Sequence, residues 1–259
     1  MIFPVTAQMV VKNEENFVWF AIKAVLPYVK RFLITDAGST DKTWEIIKKI
    51  NNEKIKLNKS RKTVVKVRKI QLAETKTPWF LLVDGDEVWP KDQLIKLLQL
   101  IKELSKNKIA VINRTRNCVG DIWHYLPEEA GHYRFMNKKG HFNIRLMRTL
   151  GYEIAGTYPW EEYLLNNKPV NQNSEDLVFS HVWYLHLSHL PRTSGKEDIS
   201  GRRKQIIERG IKLSKSELPE VFFEKRPKFI KDPLIKRSWF YELQAELITP
   251  LKQLKRVLT

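Results

Sequence analysis

The sequence predicts an α/β fold with a mostly parallel central sheet, helices on its faces and a basic helical extension at its end. Two observations support this prediction. First, short apolar, β-prone runs alternate with amphipathic segments through the first 112 residues. Second, two of the apolar runs are followed by acidic turns that contain Gly. Because parallel strands end at one edge of a sheet, we expect both acidic turns at the same rim.

The predicted elements of the first half follow one another in this alternating order. Strands are predicted over residues 3–11, 32–34, 63–67, 79–83 and 109–112. Helices are predicted over residues 13–27, 44–50, 68–77 and 91–104. This order is typical of a parallel sheet whose connections are helices.

The pattern changes after Arg114. Residues 115–141 have no clear period and mix aromatic residues, His and Gly, which favours a lid or substrate loop. Strands are predicted again over 142–147 and 179–187. The resulting division is a domain over 1–190, with halves 1–114 and 115–190, and a basic helical extension over 191–259.

Composition narrows the functional classes. The single cysteine excludes an intramolecular disulfide and a Cys-based zinc site, and favours a reducing compartment. The net charge of +17 points to nucleic acid, an anionic membrane surface or phosphorylated substrates as neighbours. Neither a membrane-spanning run nor a signal-like start is recognised, which predicts a cytoplasmic protein.

The segment Asp84-Gly85-Asp86 directly follows a predicted apolar strand. Side chains two positions apart in an extended segment point to the same side, so two carboxylates can hold one hard cation together with diphosphate oxygens and water. Mg²⁺ or Mn²⁺ is the expected ion, because neither Cys nor His is close in the sequence. A solvated acidic turn is the alternative interpretation.

The segment from Asp36 to Asp41 follows another predicted strand. Gly38 suits the turn, and Ser39 or Asp41 suits a helix cap. Asp36, at the strand end, is suited to bind a ribose hydroxyl or a base edge. The sequence has neither a GxGxxG motif nor a Walker-type loop, which disfavours a dinucleotide-dependent oxidoreductase and a Walker-type nucleotidase.

The ordered segments 10–15, 35–43, 67–87 and 159–164 resemble glycosyltransferase family 2. The resemblance covers roughly residues 4–190 and implies the GT-A fold, a nucleotide-activated sugar donor and inversion of the anomeric centre. It also implies residue roles. The residues expected to bind the nucleotide sugar are Asn13, Glu14, Asp36, Arg68 and Asp84. Asp84 and Asp86 match the metal-binding motif, with Asp86 nearest the cation.

The acidic pair Glu161-Glu162 follows Trp160. Inverting sugar transfer needs a base that removes the proton of the acceptor hydroxyl. Similar family members carry His-Glu here, so Glu162 aligns with the expected base and Glu161 replaces the His. Either carboxylate could serve as the base, and an exposed acidic turn is the alternative.

Three late histidines fall within the segment 181–189. GT-A enzymes often use a late His as a further metal ligand or to bind phosphate, which makes His186 the expected third ligand and His189 its alternative. A structural histidine is the other interpretation of each.

Basic residues concentrate in 48–69 and after Arg192, including 202–204. The last segment carries Trp239, Phe240 and several leucines at helical spacing, and Pro250 is expected to divide it into two helices. Such a basic amphipathic helix could contact an anionic membrane from the cytoplasmic side, or pack on its own domain.

The sequence therefore predicts a metal-dependent, inverting glycosyltransferase of the hexosyltransferase type. The expected donor is a UDP- or GDP-sugar, and the acceptor is a glycan, a lipid-linked glycan or a protein. A sugar-phosphate nucleotidyltransferase, a basic nucleic-acid-binding protein and an inactive donor-binding relative are the rivals. The first would normally show a Gly-rich basic signature near the first strand, and the second lacks a recognisable binding module, so no nucleic-acid partner is expected.

Overall fold

The computed structural model describes residues 1–135, 137–194 and 206–258. Its strands are β1 (Phe3–Val11), β2 (Val29–Asp36), β3 (Ile55–Lys59), β4 (Trp79–Leu82), β5 (Glu87–Val88), β6 (Ala110–Asn117), β7 (His124–Tyr125), β8 (Tyr133–Phe135), β9 (Lys138–Gly140), β10 (Phe142–Arg148), β11 (Glu153–Thr157), β12 (Trp160–Leu165), β13 (Lys168–Pro169), β14 (Leu177–His186) and β15 (Ile211–Lys212). Its helices are α1 (Val18–Val25), α2 (Thr43–Ile50), α3 (Val64–Glu74), α4 (Lys91–Leu100) and α5 (Trp239–Leu258).

An eight-stranded sheet in the order β3-β2-β1-β4-β10-β6-β14-β5 forms the centre of the molecule. β1 pairs in parallel with β2 and β4, and β2 pairs in parallel with β3. β10 runs antiparallel between β4 and β6, and β14 is parallel to β6. The strands β1, β2, β4, β6 and β14 therefore all end at the same edge, which confirms the predicted mostly parallel α/β sheet.

The two faces of this sheet are covered by different elements. Leu81 packs in one apolar cluster with α1, α2 and α4, while its neighbours Phe80 and Leu82 pack in a second cluster on the opposite face. The small antiparallel sheet β11-β12-β13 joins the second cluster through Ile154 of β11 and Tyr163 of β12. This packing brings β12 to the side of the central sheet that α3 also covers.

The predicted strand over 63–67 is wrong. Strand β3 lies earlier, at 55–59, and α3 already begins at Val64. The Thr63 hydroxyl accepts a hydrogen bond from the backbone N–H of Lys66 at 3.4 Å, which caps the first turn of the helix. The β-branched run there favours a strand locally, but tertiary packing buries one helical face, including Val67 and Gln71.

The segment predicted as an irregular loop over 115–141 is partly regular. β6 continues to Asn117, β7 pairs with β15, and β8 pairs in antiparallel with β9. Its proposed role as a lid stays a prediction.

Within residues 206–258, the extension contains one long helix, α5, preceded by extended segments and short 3₁₀ turns. Part of it packs on the core, because Phe222 lies edge-on to Phe20 of α1 with ring centroids 5.2 Å apart. The expected division at Pro250 is wrong, since α5 continues through that residue. Thr249 before it and Arg256 after it are both hydrogen-bonded to the preceding segment of the extension, at Arg209 and Glu208. The domain boundaries stay predictions, and the basic run 202–204 lies outside the described residues.

In the part of the chain that the structure describes, no helix is both long enough and apolar enough to cross a membrane.

Candidate active site

The carboxyl ends of five strands bring polar side chains to one rim of the central sheet. The turn that follows β1 and the turn that follows β2 meet there. The acidic segment after β4 lies beside them. The rim residues, in chain order, are Asn13, Glu14, Asp36, Asp84, Asp86, Asn117 and His186. The topology thus places the two acidic turns together, as the strand-end rule predicts.

Asp36 ends β2 and is 1% exposed. Its Oδ1 accepts hydrogen bonds from the backbone N–H groups of Gly38 and Ser39 at 2.8 and 2.7 Å. Gly38 has a φ of +92°, a left-handed conformation that favours glycine. One carboxylate oxygen therefore fixes the turn, which leaves Oδ2 for another partner.

Asn13 holds this turn from the side of β1. Its Oδ1 accepts a hydrogen bond from the backbone N–H of Thr40 at 2.8 Å, and its own N–H donates to the Ser39 hydroxyl at 3.0 Å. The contacts make Asn13 a residue that positions the turn, and its predicted contact with the nucleotide stays a prediction.

Glu14 lies beneath the turn between Asp84 and Asp86. Its Oε1 accepts a hydrogen bond from Arg192 Nη1 at 2.8 Å. Burial raises the pKa of Glu14 well above its usual range, and the nearby Asp86 carboxylate adds to the shift. A Cβ added to Gly85 would lie 2.8 Å from Glu14 Cγ and 2.9 Å from Val11 Cγ2, so glycine permits this close approach.

Asp84 lies between two arginines. Its Oδ2 is 2.8 Å from Arg145 Nη2, and its Oδ1 is 3.3 Å from Arg68 Nη2. Burial opposes ionisation, but the charges of Arg145 and Arg68 hold the pKa of Asp84 below its usual value. Asp84 therefore orients two cationic side chains at the rim.

Arg145, on β10, was not predicted from the sequence. Its Nη2 also contacts the fully buried Glu87, and its Nε donates to the Tyr184 hydroxyl at 3.1 Å. An arginine in the middle of an apolar strand is rarely buried without a partner, and that was the available signal.

Asp86 faces His186 across the rim. Asp86 Oδ2 is 3.5 Å from His186 Nε2 and 3.7 Å from Arg192 Nη1. Although burial raises the pKa of Asp86, His186 and Arg192 lower it to about 2. Asp86 is thus a carboxylate at neutral pH.

Asn117 fixes the orientation of His186. Burial lowers the pKa of His141 to about 4, so its ring is neutral, and its Nδ1 accepts from Asn117 Nδ2 at 2.8 Å. Asn117 Oδ1 is then the acceptor for His186 Nδ1–H at 3.2 Å. Because Nδ1 carries a proton in this arrangement, Nε2 faces Asp86. Burial opposes the charged form of His186, but the Asp86 carboxylate raises the pKa of His186 above its usual value, so the imidazolium Nε2–H faces Asp86. Loss of that proton frees the Nε2 lone pair for a cation.

The geometry of Asp84, Asp86 and His186 bears on the predicted metal site. Among residues 1–135, 137–194 and 206–258, no group of three or more His, Cys, Asp or Glu side chains is arranged to hold a metal ion. Asp86 and His186 form a pair, and their 3.5 Å separation is near the spacing of about 3 Å between adjacent ligands of one octahedral ion. Asp84 directs both oxygens to arginines instead. The pair fits a divalent ion whose other ligands come from phosphate and water.

The two candidate bases lie on β12, on opposite faces of the strand. Glu162 is exposed, whereas Glu161 is half-buried and shares its face with the buried Tyr163. Burial raises the pKa of Tyr163 to about 12, and the charges of Glu161 and Asp84 add to the shift. Of the two carboxylates, Glu161 is therefore on the side nearer to the rim.

Several buried polar atoms lack a hydrogen-bond partner within the described residues, and four of them matter for the proposed site. We call them the open atoms: Glu14 Oε2, Asp36 Oδ2, Arg68 Nη1 and Glu161 Oε2. Leaving such an atom unpaired costs about 1–3 kcal/mol unless water or a ligand satisfies it. All four belong to residues that the sequence analysis singled out.

Two further residues at the rim were not predicted. Arg192 contacts Glu14 and Asp86, and the half-exposed Tyr158 lies near the same carboxylates. Burial raises the pKa of Tyr158, and Asp84 and Asp86 add to that shift. Neither residue belongs to a local sequence motif that would identify it, because only the folded chain brings it to the carboxylates of the rim.

His189, the alternative to His186, has a pKa lowered to about 4 by burial and by the charge of His186. His124 is hydrogen-bonded to Asp121 at 2.8 Å, which gives it a structural contact near α5.

Comparisons with known proteins bear on this site. The chain matches the family model described as glycosyl transferase family 2 over residues 6–158, more than half of its length. The comparison with curated proteins gives no match. A crystal structure of S. aureus TarS 1-349 is similar with a TM-score of 0.51 and 14% identity, covering 71% of this chain and 60% of that one.

A second solved structure is glucosyl-3-phosphoglycerate synthase from Mycobacterium tuberculosis in complex with Mn²⁺, UDP and glucosyl-3-phosphoglycerate. Its TM-score is 0.37 at 17% identity, covering 46% of this chain and 45% of that one. The similarity to TarS shows a shared fold, and the predicted GT-A fold is confirmed. The chain spans 60% of the length of the TarS fragment that it matches.

Proposed function

Because the chain belongs to glycosyl transferase family 2, we propose that it transfers a sugar from a nucleotide-sugar donor to an acceptor hydroxyl with inversion at the anomeric carbon. The supporting observation is that the open atoms of Asp36 and Arg68 lie at the same rim as the Asp86–His186 pair. A hydrogen-bond acceptor, an anion-binding group and a metal-binding pair are together suited to a nucleoside diphosphate.

The donor occupies the strand ends in this proposal. Asp36 Oδ2 accepts a hydrogen bond from a ribose hydroxyl or a base edge, because Oδ1 is already used by the turn. Arg68 Nη1 binds the diphosphate, because the other terminal nitrogen is held by Asp84. UDP- and GDP-sugars remain the donors of first choice.

A divalent ion, Mg²⁺ or Mn²⁺, would be held by Asp86 and His186. When bound, such an ion supplies positive charge to the leaving nucleoside diphosphate. Arg68 and Arg192 add fixed positive charge beside the same position. Asp84 and Glu14 keep these arginines oriented, which assigns Asp84 to positioning here rather than to direct metal binding.

Glu161 is the proposed general base. The acceptor oxygen attacks the anomeric carbon, the bond from that carbon to the diphosphate oxygen breaks, and the acceptor proton passes to a Glu161 carboxylate oxygen. The half-buried position of Glu161 favours it over the exposed Glu162. The acceptor, glycan, lipid-linked or protein, and the cytoplasmic location stay predictions.

A thermal-shift panel tests the proposal. UDP-, GDP-, CMP- and dTDP-sugars are each added with and without Mn²⁺ to the wild type, to Asp86→Asn and to Asp92→Asn, an exposed carboxylate on α4. We expect one nucleotide class to raise the Tm in a Mn²⁺-dependent way in the wild type and in Asp92→Asn, but not in Asp86→Asn. If none of the donors raised the Tm of the wild type, the result would contradict the proposal.

A further inference from the structure

Helix α5 turns an apolar face away from the protein. Its outward residues include Leu247, which is 77% exposed, and Val257, which is 84% exposed. The nine residues of this outer face are Trp239, Phe240, Leu243, Leu247, Pro250, Leu251, Leu254, Val257 and Leu258. At about 100° per residue they cover about 120° of the helix circumference, and none of the charged residues of α5 lies among them.

The opposite side of α5 packs on the protein, with Tyr241 and Ala245 in an apolar cluster, and polar contacts fix it there. Arg256 forms a bidentate ion pair with the buried Glu208, with both N–O distances 2.7 Å. The Thr249 hydroxyl accepts from the backbone N–H of Arg209 at 2.8 Å, and the Tyr241 hydroxyl donates to the Ile206 carbonyl at 2.8 Å. These contacts fix the rotation of the helix, so the outer face cannot turn inward without breaking them.

The acidic residues beside the outer face are neutralised. Glu242 pairs with Arg237 at 2.8 Å, and Glu246 pairs with Arg209 at 3.4 Å. The whole chain carries a net charge of +17. The surroundings of the outer face therefore favour a negatively charged partner over a second copy of the same cationic chain.

We propose that the outer face of α5 inserts into the interface of an anionic lipid bilayer, with the helix lying parallel to the membrane. A face this wide, rich in Leu with Trp and Phe at one end, matches the pattern of interfacial helices. A single partner helix covers a narrower seam of alternating three- and four-residue spacing. The proposal does not depend on the donor or metal assigned at the rim.

Vesicle flotation of the full chain tests this binding. The vesicles consist of phosphatidylcholine alone or of phosphatidylcholine mixed with phosphatidylglycerol. We expect binding to the mixed vesicles, weakened by salt, and a loss of about tenfold or more in the Leu247→Gln/Leu254→Gln variant. Ile2→Gln, at an apolar residue of similar exposure outside α5, is the matched control and should bind as the wild type does.

Unfolding curves measure whether the double variant still folds, and light scattering measures its oligomeric state. Both substituted leucines are exposed, so the Tm of the double variant should stay close to that of the wild type. A dimer that the double variant dissociates, without vesicle binding, would overturn the proposal in favour of a second copy. A monomer that binds neither vesicle, or equal binding to both vesicles, would also overturn it.

Discussion

The rim of the central sheet and the outer face of α5 depart from ordinary protein architecture in opposite ways. At the rim, polar atoms such as Asp36 Oδ2 are buried and unpaired within the described residues. On α5, apolar side chains such as Leu247 are exposed. The first arrangement is completed by a charged, hydrogen-bonding ligand, and the second by an apolar environment. In our two proposals, one chain therefore binds a nucleotide at the rim and a lipid surface at α5.

The largest effect is expected at Asp86. Asp86→Asn removes the charge from the only carboxylate paired with His186 in the described chain, and transfer should fall by about 10³-fold. Steady-state rates with a saturating donor measure the change, and Asp92→Asn is the control. If Asp86→Asn transferred sugar within a few-fold of the wild-type rate, Asp86 and His186 would not hold a catalytic metal ion.

The next effect separates the two candidate bases. Glu161→Gln should lower kcat by about 10²-fold or more, while Glu162→Gln, the matched neutral change on the exposed face of β12, should leave it within a few-fold. The pH–rate profile should lose its acidic limb in Glu161→Gln alone. The reverse pattern would restore Glu162, the residue that aligns with the family base.

A third prediction concerns the stability of the rim. Arg145→Met leaves the buried Glu87 without its ion-pair partner, which should cost about 3 kcal/mol and lower the Tm by about 6–12 °C. Adding Glu87→Gln should recover part of the loss, because the unpaired charge is removed. A double variant as unstable as the single one would show that lost packing, and not the unpaired charge of Glu87, causes the destabilisation.

The smallest effect concerns the anchoring of α5. Asp121 accepts hydrogen bonds from His124 and from the backbone N–H of Arg237, which precedes the helix. Burial raises the pKa of Asp121, but these bonds hold it below its ordinary value. Its contribution of about 1 kcal/mol is therefore present above the unfolded pKa near 4 and is lost as pH falls through the lower folded pKa.

Acid titration of the wild type and of Asp121→Asn measures this contribution. The loss of stability in acid should be shallower in the variant, because one linked proton has been removed. Parallel curves would show that Asp121 does not anchor the segment electrostatically.

Much of the rim could be predicted because its residues directly follow strands. Asp36, Asp84 and Asp86 come after apolar runs, and the parallel topology then brings them together. Arg145 and Arg192 could not be found this way, because long-range packing brings them to the carboxylates. The different roles of Asp84 and Asp86 likewise depend on tertiary contacts, because arginines face Asp84 and a histidine faces Asp86.

The helical segments show where local patterns are insufficient. The run after Thr63 favours a strand by its β-branched residues, yet it forms α3 because Thr63 caps it and one face packs on the sheet. Pro250 favours a break, yet anchors on both sides keep α5 continuous. The apolar spacing of α5 was visible in the sequence, but its outward orientation depends on Glu208 and the contacts of Thr249 and Tyr241.

We propose, above all, that the rim holds a nucleotide site completed by a metal ion bound to Asp86 and His186. Titration calorimetry of UDP and of GDP, each with and without Mn²⁺, tests it most directly in the wild type, Asp86→Asn and Asp92→Asn. We predict that one nucleotide binds about tenfold or more tightly with Mn²⁺, and that Asp86→Asn alone abolishes this gain. Equal affinity with and without Mn²⁺, or no binding of either nucleotide, would contradict the claim.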